Sequence, residues 1–178
     1  MHYRFAHKLG IVKEQGIFIA IDGEHAYKIE DNIVHLKMID VQEITIENSD
    51  CVLFTGSPHY VSFRTDIDNI NLLDEAHKIR YNTTYAAKGI NVNFVEQHND
   101  TIKMRTYERG VEDETLSCGT GTVAVALSVA QKNNLDSGKI DIQTPGGKLS
   151  VSFQKNLNSY SDIWLIGPAT FVFSGSII

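Results

Sequence analysis

The sequence has few of the features that mark secreted, membrane or nucleic-acid-binding proteins. Its 178 residues include 2 cysteines, 3 prolines and 1 tryptophan, and no run approaches the roughly 20 apolar residues of a membrane helix. Lys and Arg total 16 against 22 Asp and Glu, and the net charge of −6 disfavours a nucleic-acid partner. The first residues also lack the charged and then apolar regions of a signal peptide. We therefore predict a cytoplasmic protein with no nucleic-acid or membrane partner.

The sequence also lacks histidine, cysteine and carboxylate residues at the spacing of metal ligands. The 7 histidines form no pair with each other, with cysteine or with carboxylates at the intervals that zinc sites use, so we predict no metal. The two cysteines, Cys51 and Cys118, are too few for a structural zinc site without histidine ligands, and a structural disulfide is not expected in this compartment.

The hydrophobic pattern predicts an α+β protein, with a curled, mostly antiparallel sheet around a buried helix. Strands are predicted at 17–21, 25–30, 33–38, 41–47, 52–54, 60–63, 91–95, 101–107, 139–144, 148–153, 162–166 and 170–173. An amphipathic helix is predicted at 71–81, capped by Asn71, and a helix that is apolar nearly all round at 119–133. Residues 4–11 have the pattern of a helix end with Gly10 as its stop.

The segment 105–122 carries the strongest chemical signal. It reads R-T-Y-E-R-G-V-E-D-E-T-L-S-C-G-T-G-T, in which Cys118 and two glycines open the buried helix. The free N–H groups and positive dipole end at a helix start favour an anion, and glycines allow a ligand to approach the backbone. The same field is expected to lower the pKa of Cys118 and make it a competent general base.

Each of these residues also has a purely structural interpretation. Cys118 can be a small residue that fills space beneath a turn. Glu108 and Arg109 can be a solvated surface pair, His59 can close a turn after Pro58, and Asn91 can lie at a strand edge.

The order of five motifs favours the chemical interpretation. They are G-S-P-H at 56–59, N-V-N-F at 91–94, Y-E-R-G at 107–110, C-G-T-G at 118–121 and P-G-G at 145–147. In this order and spacing the chain resembles the second half of the diaminopimelate epimerases. The string Y-E-R-G…E-T-x-x-C-G-x-G is highly specific to that family.

The resemblance implies a reaction and its chemistry. Family members interconvert LL- and meso-2,6-diaminopimelate in the pathway to lysine, without pyridoxal phosphate or a metal. Two cysteines flank the α-carbon, one as thiolate base and the other as thiol acid. Because no cofactor acts as an electron sink, preorganised donors around the substrate carboxylate must stabilise the carbanionic charge.

The resemblance also assigns residues by position. Cys118 corresponds to the second cysteine, while Glu108 and His59 match catalytic positions close to the reacting carbon. The matching substrate-binding positions are Ser57, Asn91, Arg109, Gly119 and Thr120. Within this set, Arg109 is expected to hold the distal carboxylate, and the amides of Gly119 and Thr120 the α-carboxylate. Ser57 stands where many members have Asn, and its hydroxyl is the candidate replacement.

The family motif that carries the first cysteine, C-G-N-G-x-R, does not occur in this sequence. Cys51 lacks those glycines and is interpreted as a core residue. We therefore expect residues 1–41 with 167–178 to form a remnant of the first half and 42–166 to form an intact second half. Such a chain is expected to be truncated, crippled for inversion when alone, and prone to self-association through exposed sheet edges, unless an N-terminal segment completes it.

Two alternatives stay open at this point. One is a related cofactor-independent racemase or isomerase, of the proline-racemase or phenazine-biosynthesis type, with another substrate. The other is a non-catalytic remnant that binds a carboxylate at the 119–121 turn.

Overall fold

The computed structural model describes residues 2–20, 23–171 and 173–176. Its helices are α1 (His2–Lys8), α2 (Leu72–Arg80) and α3 (Gly119–Lys132), with a short 3₁₀ helix at Ile67–Asn69. Its strands are β1 (Gln15–Ala20), β2 (Gly23–Glu30), β3 (Ile33–Lys37), β4 (Thr45–Glu47), β5 (Asp50–Phe54), β6 (Pro58–Phe63), β7 (Asn91–His98), β8 (Thr101–Glu108), β9 (Asp113–Thr115), β10 (Ser137–Thr144), β11 (Gly147–Asn156) and β12 (Ser159–Pro168).

These strands form one mixed sheet in the order β1-β2-β3-β12-β11-β10-β8-β7-β6-β5-β4, with β9 added to β8. Neighbouring strands are antiparallel except β6 with β7 and β8 with β10. Both parallel contacts follow a helical connection, through α2 and through α3, because a parallel pair needs a long crossover. The predicted α+β class with a mostly antiparallel sheet is confirmed.

Helix α3 is the centre of the main core. It packs against β5, β6, β7, β8, β10, β11 and β12, so the sheet curls around it. Its residues 121–130 are all buried, as the continuous apolar pattern predicted. Cys51 is buried in this core and serves as packing, which confirms its predicted place.

Helix α2 covers a second core on the other side of β7. Leu72 and Ala76 pack there with Phe94 and Tyr107. The Asn71 side chain accepts a hydrogen bond from the Asp74 N–H, so the predicted N-cap is confirmed.

Helix α1 ends as the sequence predicted. Gly10 has φ of 69°, its N–H donates to His7 O, and the N–H of Ile11 donates to Ala6 O. These two bonds form a Schellman motif, in which glycine takes the left-handed position because it has no Cβ.

Strand β1 is an edge of the sheet and carries exposed apolar side chains. Ile17 and Ile19 are 67% and 81% exposed. Phe5 of α1, and Leu9 and Ile11 directly after this helix, are exposed as well. The predicted exposure of apolar surface is therefore confirmed, while self-association stays a prediction.

Several element boundaries differ from the predictions. Residues 41–47 form a strand only at Thr45–Glu47, with an isolated bridge at Val41, and residues 113–115 form a strand that was not predicted. The predicted strand at 170–173 is wrong for its described residues 170, 171 and 173, which lie outside any strand, whereas residue 172 lies outside the described residues. The dipeptide Asp22-Gly23 also predicts a turn after the first strand, and Asp22 lies outside the described residues. The division into 1–41 with 167–178 and 42–166 stays a prediction.

Within the described part of the chain, no helix is long and apolar enough to cross a membrane. No cluster of three or more His, Cys, Asp and Glu side chains there is arranged to hold a metal ion.

Candidate functional site

The candidate site lies where the beginnings of β6 and β7, the end of β8 and the beginning of α3 meet. His59 pairs with Asn91 across the parallel β6–β7 contact, at the beginning of both strands. Strand β8 runs antiparallel to β7, so its last residue, Glu108, reaches the same edge. Cys118 is the N-cap of α3, whose start is packed against these strands. The fold therefore brings together residues that are far apart in the sequence, since His59 and Thr120, which are 61 positions apart, lie in hydrogen-bond contact.

Cys118 lies at the start of α3 and is almost fully enclosed. Its Sγ lies 3.5 Å from the Thr120 hydroxyl, and its carbonyl accepts from both the N–H and the hydroxyl of Thr122. Only 8% of the residue is exposed. The sulfur is thus held in place but stays next to the free N–H groups of the helix start.

The predicted lowering of the Cys118 pKa is wrong as a net direction. Burial raises the pKa of the Cys118 thiol, while hydrogen bonds from the Thr120 hydroxyl and the Gly121 N–H lower it, and the Glu108 charge raises it further. The donors at the helix start lower the pKa as expected, but the increase caused by removing the thiol from water is larger.

Gly121 is the glycine that the site needs most. A Cβ at this position would lie 2.7 Å from Asn93 Oδ1 and 3.3 Å from Cys118 Sγ. Gly119 is less constrained, since a Cβ there would meet only the end of the Leu165 side chain. Glycine at 121 lets α3 begin directly against β7.

His59 is fully buried and held on both ring nitrogens. Its Nε2 lies 2.9 Å from Thr120 Oγ1 and its Nδ1 lies 3.1 Å from Asn93 Nδ2. Burial, and then the positive charge of Arg109, lower the pKa of His59 to about 3. The imidazole is therefore neutral at physiological pH.

Ser57, Asn91 and Arg109 form the second part of the site. The Asn91 amide nitrogen donates to Ser57 Oγ at 2.8 Å and to Pro58 O at 2.9 Å, and its oxygen accepts from the Arg109 N–H at 2.9 Å. The serine hydroxyl thus supplies one of the two acceptors of the Asn91 amide nitrogen. Asn91 joins the turn before β6 to the end of β8.

The Arg109 side chain is exposed and lies over Gly89. Its Nη1 donates to Lys88 O at 3.1 Å, and a Cβ at Gly89 would lie 2.6 Å from Arg109 Cδ. Gly89 has φ of 73°, so both its backbone and its lack of a side chain suit this contact. The guanidinium is left accessible to an anionic ligand.

Glu108 is half-buried and accepts a hydrogen bond from Thr115 Oγ1 at 2.9 Å. Thr115 reaches it because β9 pairs with β8, an element that the sequence analysis did not predict. The carboxylate is therefore oriented from the strand that leads to Cys118.

Sequence reasoning missed the residues that hold these side chains in place. Asn93 and Thr106 are buried and joined by a 3.0 Å hydrogen bond, and Thr55 Oγ1 donates to Thr120 O at 2.9 Å. The signal for Asn93 was its spacing of two from Asn91, because a strand places such residues on one face.

The chain is similar to known proteins over most of its length. The description "Diaminopimelate epimerase" belongs to the family profile that matches residues 51–172. The diaminopimelate epimerase of Flavobacterium psychrophilum is 46% identical over 175 residues, which cover 97% of this chain and 68% of that protein. The chain belongs to the diaminopimelate epimerase family.

The family profile matches residues 51–172, and this range includes all candidate site residues of this epimerase-family chain, which lie between positions 57 and 120. The diaminopimelate epimerase of Aquifex aeolicus is 32% identical over 98% of this chain and 66% of its own length. The chain thus spans about two thirds of these two curated relatives.

A hydroxyproline epimerase structure from Agrobacterium vitis, with bound trans-4-hydroxy-L-proline, is similar to this family member in fold. The TM-score is 0.66 at 15% identity, over 94% of this chain and 61% of the other. This likeness supports the racemase and epimerase type of fold, and at that identity it carries no information on substrate.

Proposed function

We propose that this chain carries the Cys118 side of a cofactor-independent epimerase acting on 2,6-diaminopimelate. The observation that carries the proposal is the convergence of Cys118, His59, Glu108 and Asn91 at one edge of the sheet, beside the free N–H groups of α3. Family membership supports the proposed substrate class, and the geometry supports the proposed roles of these residues.

The proposed chemistry begins with the substrate carboxylate. The amides of Gly119 and Thr120 lack intrahelical acceptors, and this end of α3 carries the positive end of the dipole. A carboxylate bound there becomes a better acceptor for carbanionic charge, since the donors are already in place before the reaction. Cys118 as thiolate then removes the α-proton.

The thiol must first lose its own proton, and burial opposes this step. The Thr120 hydroxyl and the Gly121 N–H stabilise the thiolate, and a bound substrate that displaces water strengthens these contacts. Glu108 lies close enough for its charge to raise the Cys118 pKa, so its carboxylate is better suited to the substrate ammonium group.

Arg109 is the proposed partner of the distal carboxylate. Its guanidinium is exposed and tethered by one bond to Lys88 O, which leaves donors free for a bidentate contact. This second anion contact favours diaminopimelate over a substrate with a single carboxylate, such as proline.

Inversion needs a proton donor on the opposite face of the α-carbon, and the described residues place Cys51 in the core rather than there. We therefore expect this chain alone to exchange the α-hydrogen more readily than it inverts the centre. On this proposal a second thiol supplied by another segment completes the reaction.

The test is incubation of the purified chain with LL- and meso-diaminopimelate in D₂O. Loss of the α-hydrogen is followed by NMR and the epimer ratio by chiral chromatography, beside Cys118→Ala. Exchange that disappears in Cys118→Ala supports the proposal, and exchange without inversion assigns a one-sided base. Inversion by the chain alone would contradict the expected need for a second thiol.

Binding without exchange would favour the alternative of a non-catalytic carboxylate-binding protein. Calorimetric titration with diaminopimelate separates these outcomes, with Arg109→Gln as the variant expected to weaken binding. The same titration with L-proline distinguishes the proline-type alternative, which Arg109 disfavours.

A further inference from the structure

A chain of hydrogen bonds connects the β6 backbone to the sulfur of Cys118. Asn93 Nδ2 lies 3.1 Å from both Tyr60 O and His59 Nδ1, and His59 Nε2 lies 2.9 Å from Thr120 Oγ1. Thr120 Oγ1 in turn lies 3.5 Å from Cys118 Sγ. The direction of each bond follows from one obligate acceptor.

That acceptor is the backbone carbonyl of Tyr60. A carbonyl cannot donate, so the Asn93 atom that faces it must be the amide NH₂. The Thr106 hydroxyl donates to the other end of the amide, Asn93 Oδ1, at 3.0 Å. Both ends therefore agree on one orientation of the Asn93 side chain.

This orientation decides the state of the imidazole. Because the Asn93 NH₂ also faces His59 Nδ1, that nitrogen must accept a hydrogen bond and carry no proton. Neutral His59 therefore has its proton on Nε2, which donates it to Thr120 Oγ1. The hydroxyl, with one lone pair occupied, directs its own proton to Cys118 Sγ.

We propose that Asn93 is a positioning residue of the Cys118 site, which holds His59 in the neutral Nε2–H tautomer and thereby makes Thr120 a donor to the Cys118 sulfur. The hydrogen-bond partners of the Asn93 amide are His59, Tyr60 and Thr106. Asn93 acts through His59, and its amide is the group that distinguishes the two tautomers.

The alternative tautomer would reverse the chain. With the proton on Nδ1, His59 Nε2 would accept from the Thr120 hydroxyl, and that hydroxyl could no longer donate to the sulfur. A thiolate would then lose one of the contacts that offset its burial. Arg109 and Glu108, the charged groups near this site, would act on the ring and the thiol as before.

The surroundings leave little room for another arrangement. His59 and Asn93 are fully buried and Thr106 is 2% exposed, so water does not compete for these atoms. Gly121 keeps the space beside Asn93 Oδ1 open, since a Cβ would lie 2.7 Å from that oxygen. The close approach of α3 to β7 and the orientation of the Asn93 amide thus belong to the same packing arrangement.

The first measurement is the nitrogen spectrum of the His59 ring in the ¹⁵N-labelled protein, assigned by its loss in His59→Gln. Two-bond proton–nitrogen correlations distinguish the Nε2–H form, the Nδ1–H form and the imidazolium. We expect the Nε2–H pattern between about pH 5 and about pH 9. An Nδ1–H or imidazolium pattern in this range would overturn the proposal.

The second measurement is the rate of Cys118 alkylation by iodoacetamide against pH, read on the Cys118 peptide by mass spectrometry to separate it from Cys51. In Asn93→Leu, which has a similar shape, we expect a mixture of ring tautomers and a rate at neutral pH roughly three- to tenfold lower. A folded Asn93→Leu variant with the wild-type tautomer and rate would contradict the proposal.

Thr120→Val provides a second variant that does not disturb the buried amide. It should slow alkylation to a similar extent while His59 keeps the Nε2–H pattern, and it decides the case if Asn93→Leu does not fold. An unchanged rate in Thr120→Val would exclude the hydroxyl as donor to the sulfur.

Ser62→Ala is the matched control. Ser62 is buried on β6 and donates to Asp50 Oδ2 at 2.9 Å, so its loss removes a buried hydrogen bond from the same strand without touching His59. Both readouts should stay at wild-type values in this variant. The consequence for catalysis rests on the proposed function, but neither readout requires turnover, so the two can fail separately.

Discussion

The ionisation of Cys118 depends on its burial and on a few neighbouring groups. Burial and the Glu108 charge raise the pKa of the thiol, while the Thr120 hydroxyl and the Gly121 N–H lower it. The balance favours the thiol in the free protein. A substrate that brings its own ammonium group close to Glu108 would offset the charge of that carboxylate, so the reactivity of Cys118 should rise when the ligand is bound.

This balance can be tested with Glu108→Gln. Removing the carboxylate charge lowers the pKa of Cys118, so iodoacetamide should modify the Cys118 peptide faster near neutral pH, roughly two- to fivefold, while α-hydrogen exchange falls. Alkylation kinetics and deuterium exchange on the same preparation check the two directions. A slower alkylation in Glu108→Gln would contradict this account of the charge.

Gly121 sets the distance between the helix and the buried amide. Gly121→Ala places a Cβ 2.7 Å from Asn93 Oδ1, so we expect a loss of roughly 1–3 kcal/mol in the free energy of unfolding. Urea denaturation measures this loss. Gly175→Ala is the control, because a Cβ there has no neighbour within 4 Å and the stability should be unchanged.

At the scale of elements, helix α2 is joined to the turn after β8 through one carboxylate. Glu112 accepts from Tyr107 OH at 2.8 Å, from Arg80 Nη2 at 3.0 Å and from Tyr81 OH at 3.1 Å. These donors lower the pKa of Glu112 to about 2. The contact ties α2 to the segment that carries Glu108 and Arg109.

The depressed pKa of Glu112 predicts a pH dependence of stability. Because the folded value is about 2 and the ordinary value is 4.5, the unfolded chain binds the proton first as pH falls. The stabilisation is complete above about pH 4.5 and is lost towards pH 2. The difference in unfolding free energy between the wild type and Glu112→Gln should therefore shrink between about pH 6 and about pH 3, as measured by urea denaturation. A constant difference would count against the assignment.

For the whole molecule, the exposed apolar edge at β1 predicts association in solution. Ile17 and Ile19 lie on β1 at the edge of the sheet, and an edge strand favours pairing with another chain. The double variant Ile17→Lys, Ile19→Lys should shift the protein towards the monomer in analytical ultracentrifugation. Leu157→Lys, at a residue that is 93% exposed in the β11–β12 turn, should not. A wild-type protein that is monomeric at high concentration would refute this prediction.

Local patterns were enough for much of the architecture. The continuous apolar run of α3, the Asn71 cap and the Gly10 stop depend on neighbouring residues, so the sequence predicted them correctly. The three-residue strand β9 was missed because its acidic residues have no alternation of their own, and pairing with β8 stabilises it.

The sequence by itself determined the family, the buried helix and the motifs at 56–59, 91–94, 107–110 and 118–121, since these depend on residue identity and spacing. Only the tertiary structure decided how the site is organised. The direction of the Cys118 pKa shift and the neutral state of His59 depend on burial by distant segments, and the role of Asn93 depends on a carbonyl 33 positions away. Desolvation and hydrogen-bond direction are properties of packing, because they arise when separate strands and a helix meet at one edge.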